Sequence, residues 1–232
     1  LFPYTTLFRS VAGGKGQRMG NEVPKQFLLI GKKPILMHTI ERFHEYDKTL
    51  KIILVLPEEQ QHLWKELCSK YSFTIEHQIV NGGTTRFESS LNGLSQIPEG
   101  NDGLVGIHDG VRPFVSVNTI KRCYDEAQLT CAAIPVMPLT ESLRIVEKNG
   151  NSKSVERANY YNVQTPQVFN IMMAKMAFAQ PYQESFTDDA TVMEQFGCKI
   201  SLVEGNQENI KITTPLDLKL AEILINEKQP KD

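Results

Sequence analysis

A chain of 232 residues, 41% hydrophobic and 22% charged, has the composition of an ordinary globular protein and room for one α/β domain or two small ones. Its formal net charge of -2 gives no general attraction to nucleic acid or to an anionic membrane, so neither is expected as a partner and any affinity for anions must be local. The longest apolar runs, such as IILVL at 52–56, are too short to cross a bilayer, and the N-terminus lacks the pattern of a signal peptide. Four scattered cysteines (Cys68, Cys123, Cys131 and Cys198) suit reduced thiols, which predicts a cytoplasmic protein.

The first twenty residues divide in two. LFPYTTLFRS (1–10) is a poor candidate for a buried strand, because Pro3 cannot donate to a ladder and Arg9 would be an uncompensated charge between two covered faces. The decapeptide is also what a common sequencing adapter encodes in one reading frame, so residues 1–10 are expected to be a non-native N-terminal segment. Thr5 to Val11 can still fill a strand slot through backbone pairing, with Arg9 as a misfit. VAGGKGQRMG (11–20) reads as a phosphate loop, since glycines let backbone N–H groups approach an anion. It is not a Walker A loop, and Gly20 falls one residue late for G-x-G-x-x-G. What favours an anion site is the company of Lys15, Arg18 and Lys25, cations that repel one another unless something negative lies among them.

Pro34 followed by Ile35, Leu36, Thr39, Ile40 and Phe43 at helical spacing predicts a helix, and KIILVL (51–56), closed by Pro57, predicts a strand. In NGGTTRFESS (81–90) a Gly-Gly turn precedes a helical segment, a place where a nucleotide can meet backbone N–H and hydroxyl groups or where Thr84 or Thr85 simply caps a helix. The strand LVGI (104–107) runs into HDGVRPF (108–114). Asp109, one residue past a strand end, suits a Mg²⁺ ligand, and Arg112 suits a phosphate; a turn and a surface ion pair are the plainer reading. His108 has no Ser or Cys nucleophile motif beside it and reads as structural.

CAAIPV (131–136) and KISLV (199–203) are further strands. Between them, 138–162 alternates polar and apolar residues around Asn149-Gly150, a hairpin signal. TDDATV (187–192) opens a helix, with Asp188 and Asp189 as helix-start residues. Lys211 is an unusual lone cation on the short apolar stretch of NIKITTPLDL (209–218). Leu216, Leu220, Ala221, Leu224 and Ile225 predict one apolar helix face beginning at Pro215. Strands alternating with helices argue for an α/β fold with a mostly parallel sheet covered on both sides.

AGGKGQRMG, PKQFL (24–28), KPILMHTIERF (33–43), GG-x-x-R-x-x-S (82–89), HDGVRPF, QTPQVF (164–169), TDDA (187–190), VEG (203–205) and NIKIT (209–213) occur in that order. The set resembles the 2-C-methyl-D-erythritol 4-phosphate cytidylyltransferases of the non-mevalonate isoprenoid pathway across residues 11–220. The resemblance implies a Rossmann-like nucleotidyltransferase fold, a mostly parallel mixed sheet with a protruding β-arm at 138–162, and a homodimer built around that arm. The boundaries that follow are 1–10 for the non-native segment, 11–228 for one domain with the arm inserted, and 229–232 for a tail.

The reaction implied is attack by a polyol phosphate on the α-phosphorus of CTP, with Mg²⁺ or another divalent cation and release of pyrophosphate. By the same resemblance Arg18 and Lys25 stabilise the transition state, and Arg157 and Lys211 position the acceptor. Ala12, Gly13, Gly14, Gly82 and Ser89 contact the nucleotide. Asp109, Arg112 and Thr187 contact the acceptor, with Asp109 also on the metal. Arg157 lies on the arm, so it is expected to serve the partner subunit's site. PVMPLTESLR (135–144) is about two residues longer than the commoner form of that segment, which leaves Thr140 and Ser142 without an assigned role. A ribitol-5-phosphate cytidylyltransferase is the nearest alternative, and a non-catalytic nucleotide-binding protein of the same fold is a more distant one.

Overall fold

The computed structural model of the chain describes residues 4–9 and 23–227. In chain order its strands are β1 (Tyr4–Arg9), β2 (Leu29–Ile30), β3 (Lys33–Pro34), β4 (Lys51–Leu56), β5 (Gln78–Asn81), β6 (Leu104–Asp109), β7 (Ala132–Pro138), β8 (Arg144–Val146), β9 (Ser152–Ser154), β10 (Tyr161–Val163), β11 (Gln167–Asn170) and β12 (Ser201–Glu204). The α-helices are α1 (Ile35–Tyr46), α2 (Glu58–Lys70), α3 (Arg86–Leu94), α4 (Val117–Thr130), α5 (Ile171–Phe178), α6 (Asp189–Gln195) and α7 (Pro215–Glu227).

One eight-stranded sheet organises the described residues, in the order β10-β7-β11-β6-β1-β4-β5, with β12 also on β7. The pairs β6-β1, β1-β4, β4-β5 and β7-β12 are parallel, whereas β11 and β10 run antiparallel to their neighbours. The sheet is therefore mixed, as expected. Side chains alternate across each strand, so β4 sends Ile53 and Val55 to one face and Ile52, Leu54 and Leu56 to the other. The first face packs on α3, α5 and α6; the second packs on α1, α2 and α4. No described helix is long and apolar enough to cross a membrane.

Residues 4–9 fill a central slot, parallel to β4 and β6, with Arg9 in register with Asp109 and Val55. A strand is held by its backbone ladder, and Tyr, Thr, Leu and Phe are good strand residues whatever the origin of the segment. Thr5 is buried, and its carbonyl accepts a hydrogen bond from the Tyr124 hydroxyl of α4. That hydroxyl lies so close to Gly106 of β6 that a Cβ there would meet it at 2.7 Å, which explains a glycine inside a central strand.

Two local expectations are modified. Helix α7 forms from Pro215, but its buried side carries Ala221, with Leu218, Leu224 and Ile225 packed against the same small cluster. Leu216 and Leu220 lie outside it, 74% and 42% exposed. The helix meets only one flank of the domain, so its apolar residues do not form the single covered face that spacing suggests. The hairpin at 138–162 is two-tiered. β7 and β10 extend the main sheet (Tyr161 opposite Pro138), and a separate ribbon, β8-β9, sits beyond them with Val146 opposite Ser152. Asn149-Gly150 falls inside the intervening loop of 147–151, where Gly150 takes φ +87°, a conformation that glycine adopts at little cost.

Candidate active site

The parallel strands end along one edge, and at that edge Asp109 is the last residue of β6. Its carboxylate is 1% exposed and meets cations from three directions. Oδ2 lies 3.1 Å from Lys211 Nζ and 3.3 Å from Arg112 Nε, while Oδ1 faces Arg86 Nη1 at 3.9 Å. A buried carboxylate persists only when compensated, and here that compensation draws in residues far apart in sequence.

Each partner is fixed by its own local structure. Arg112 follows a tight turn closed by its N–H on the Asp109 carbonyl, and its Nη1 donates to the carbonyl of Asn209 at 2.7 Å. Lys211 lies on an extended segment tied to that turn by Ile212 N–H to Val111 O at 3.0 Å, and buried Ile212 anchors it. Asn209 is itself buried and donates to the carbonyl of Thr165 and to Gln164 Oε1. Beneath Asp109, the Thr165 hydroxyl donates to His108 Nδ1 and accepts from the Asp109 N–H, while His108 Nε2–H donates to Arg112 O. Burial lowers the His108 pKa to about 3, so the ring is neutral and its role is structural, as expected.

Arg86, the first residue of α3, links this cluster to α6. Its Nη2 donates to Asp189 Oδ2 at 2.6 Å, and Ser90 Oγ donates to the other oxygen at 2.7 Å. Burial alone would lower the Arg86 pKa, but Asp189 and Asp109 more than offset it and the guanidinium stays charged. Its Nε is buried without a hydrogen-bond partner. Helix α6 begins with a capping box of Asp188 and Thr191, and Asp188 also accepts from Gln167. Thr187 stands exposed just before that cap.

The residues expected to contact the nucleotide, Gly82 and Ser89, lie at the loop after β5, with β1 and β4 between that strand and β6. Gly82 follows β5 and donates to the Leu56 carbonyl, and Ser89 is fully buried, accepting from Gly83 N–H and donating to Thr85 O. The Ser89 hydroxyl thus pins the loop from within. A Cβ on Gly83 would fall 2.2 Å from Glu88 Cβ, so only glycine lets this turn lie on the start of α3. Lys25 begins a 3₁₀ turn, Lys25–Phe27, whose Gln26 bonds Gln60 and whose Phe27 stacks on Trp64 at 5.9 Å. Ala12, Gly13, Gly14 and Arg18 lie outside the described residues.

Two expected residues stand apart or in another role. Arg157 is exposed on the arm and donates to Thr140 O there. Asp109, expected on a metal, is engaged by cations instead: a Mg²⁺ ion there would share its carboxylate with Lys211, Arg112 and Arg86. Among the described residues no group of three or more His, Cys, Asp or Glu side chains could hold a metal ion.

Comparison with known proteins gives the family. The IspD family model, described as 2-C-methyl-D-erythritol 4-phosphate cytidylyltransferase, matches residues 10–227. The chain belongs to that family. A family relative of that name from Phocaeicola vulgatus is 54% identical over 215 residues, covering 93% of this chain and 97% of the relative. The solved cytidylyltransferase of the same name from Francisella tularensis superposes with a TM-score of 0.77 at 30% identity, covering 95% of this chain and 99% of the other. Its counterpart from Thermus thermophilus gives 0.75 at 28%, covering 97% and 99%.

Within the IspD-family fold, Arg86 and Asp189 join the site through a contact that the sequence pattern does not single out. The motif GG-x-x-R-x-x-S points to its glycines and serine, and Asp189 reads only as a helix-start residue. The available signal was an arginine directly after the helix cap, where a positive charge opposes the helix dipole and needs a carboxylate.

Proposed function

We propose that this chain transfers CMP from CTP to 2-C-methyl-D-erythritol 4-phosphate, giving CDP-methylerythritol and pyrophosphate in isoprenoid precursor synthesis. The observation that carries this reading is the Lys211–Asp109–Arg112 cluster at the carboxyl end of β6, the place where ligands bind in open α/β sheets. An acceptor phosphate brought to that edge would meet Lys211 and Arg112, two cations whose positions are already set by Asp109.

In the reaction, an oxygen of the acceptor phosphate forms a bond to the α-phosphorus of CTP. The bond from that phosphorus to the β-phosphate oxygen breaks, and pyrophosphate leaves with the electron pair. Such transfers need little covalent help, and the protein supplies alignment and charge neutralisation. Lys211 and Arg112 orient the attacking phosphate, and Lys25 with Arg18 stabilise the charge on the α-phosphate and the leaving group. Mg²⁺ or another divalent cation would enter as part of the nucleotide, bound to its phosphates. Arg157 would reach the acceptor of a partner subunit in a homodimer formed through the arm. We place the reaction in the cytoplasm, where the four free cysteines remain reduced.

Pyrophosphate release with CTP and each polyol phosphate, with and without Mg²⁺, tests the reading. Product should form with methylerythritol phosphate. Formation of CDP-ribitol alone would make the chain a ribitol-5-phosphate cytidylyltransferase, and no turnover with either would point to a non-catalytic nucleotide-binding protein.

A further inference from the structure

We infer that Arg86 is a positioning residue for this transfer: it fixes Asp109, and through it Lys211 and Arg112, against the start of α6. The inference rests on the proposed cytidylyl transfer and adds to it a residue that touches neither substrate.

The anchor of Arg86 is rigid at its root. Thr85 and Glu88 close a capping box at the start of α3, and Gly83 is pressed onto Glu88 from the preceding turn. One turn further along α3, Ser90 grips the same carboxylate as Arg86, so Asp189 is held at two points from one helix. Asp189 is 1% exposed and is the first residue of α6, next to Thr187 and Asp188. The guanidinium therefore joins the nucleotide-side loop, which leads into α3, to the acceptor-side helix.

Its second terminal nitrogen faces Asp109 Oδ1 at 3.9 Å, beyond hydrogen-bond length but within Coulombic reach. Lys211 and Arg112 both approach Oδ2. Arg86 adds a pull on Oδ1 to the pull of those cations on Oδ2. With Arg86 on the Oδ1 side, the group is held from both sides, and the two cations keep one position relative to the nucleotide loop.

A purely structural staple would be a poor use of this residue. Joining α3 to α6 through apolar side chains would avoid burying a guanidinium, and such replacements are often neutral or stabilising. Here a charge is retained with its Nε buried and unpartnered, an arrangement that gives placement of charge rather than stability.

The test compares the wild type with Arg86→Lys, Arg86→Met and Asp189→Asn. It uses initial rates against CTP and against whichever polyol phosphate the wild type accepts, with thermal unfolding alongside. Lys keeps the charge but lacks the planar fork that faces two carboxylates at once. For Arg86→Lys we expect the acceptor KM to rise about tenfold, the CTP KM to move by less than about threefold, and Tm to stay near the wild-type value. Arg86→Met should show the same split more strongly, and Asp189→Asn more weakly. If Arg86→Met fails to fold, the other two variants carry the test. A lowered Tm with unchanged KM values, or an equal rise in both, would make Arg86 a structural staple and overturn the inference. A wild type inactive with both acceptors would remove the proposed activity and this inference together.

Discussion

Arg112 and Arg157 are the same residue type assigned to the same substrate, yet they stand in opposite surroundings. Arg112 is mostly buried, braced by Asp109 and by the Asn209 carbonyl, and seated on a turn that belongs to the main sheet. Arg157 is exposed, held by Thr140 on its own arm, and flanked by Tyr160, Tyr161 and Val163, each at least 41% exposed. The first cation needs only this chain to have a defined position. The second is held within the arm, and in the proposed homodimer it would gain a further surface. A buried charge must be compensated where it sits, whereas an exposed apolar arm leaves its environment to an assembly. The contrast is what a site completed across a dimer would show, and it can be attacked from either side.

The largest effects are expected on the braced side. Lys25→Ala, which removes a group that stabilises developing charge, and Lys211→Ala, which removes one that orients the attacking phosphate, should each lower turnover on the order of 10²–10³-fold. Both side chains are partly exposed, so Tm should fall by only a few degrees, roughly what 1 kcal/mol does in a domain of this size. Steady-state rates with thermal melts check this. Full activity in Lys25→Ala would show the assigned mechanism to be wrong.

The arm side is tested by mixing. In the proposed homodimer, Arg157→Ala protein should be nearly inactive, as should Lys211→Ala protein. If Arg157 serves the partner's site, one hybrid site pairs intact Lys211 with intact Arg157. Random reassociation of equal amounts should then recover roughly a quarter of wild-type activity, because half the dimers are hybrids with one good site in two. Recovery absent after verified subunit exchange would place Arg157 in the site of its own chain and erase the contrast.

How much of this was legible beforehand follows the same division. Local signals carried well. Pro34 and Pro57 mark element boundaries at α1 and α2, KIILVL became β4, and the Asp188 start of α6 is a capping box. The pairing of Arg86 with Asp189 spans 103 residues, and no spacing rule reaches that far. The environment of Asp109 was hidden for the same reason. An Asp after a strand suggests a metal ligand until Lys211 and Arg86 are folded against it. Leu216 and Leu220 misled because spacing gives a helix its stripe but not which flank the domain covers. Residues 4–9 show the converse, a doubtful strand sequence accommodated because its neighbours β4 and β6 supply the ladder on both sides.

A smaller effect tests the nucleotide-side loop. Gly83→Ala places a methyl group 2.2 Å from Glu88 Cβ, so the turn or the first turn of α3 must move. Overpacking of this kind costs about 1–3 kcal/mol. The shift should loosen the Ser89 pin as well, raising the CTP KM more than the acceptor KM, the reverse of the split expected for Arg86. Kinetics and a denaturant titration would register both, and an unchanged midpoint would mean that the loop relaxes freely.

The smallest expected effect, a slope rather than a step, comes from His108. Its folded pKa is lowered to about 3 by burial, against an ordinary value of 6.5, so below that ordinary value the unfolded chain binds a proton that the folded chain refuses. Stability from this group is therefore complete above about pH 6.5 and is lost as pH falls toward 3, at no more than about 1.4 kcal/mol per unit. His108→Gln removes the titration while leaving an amide able to donate toward Arg112 O. The variant should be less stable than wild type at pH 8, because the Thr165 contact changes. The difference should narrow as pH falls from 6.5 to 5. Parallel stability curves over that range would mean that water reaches the ring, and that His108 is not the sealed support beneath Asp109 that its hydrogen bonds describe.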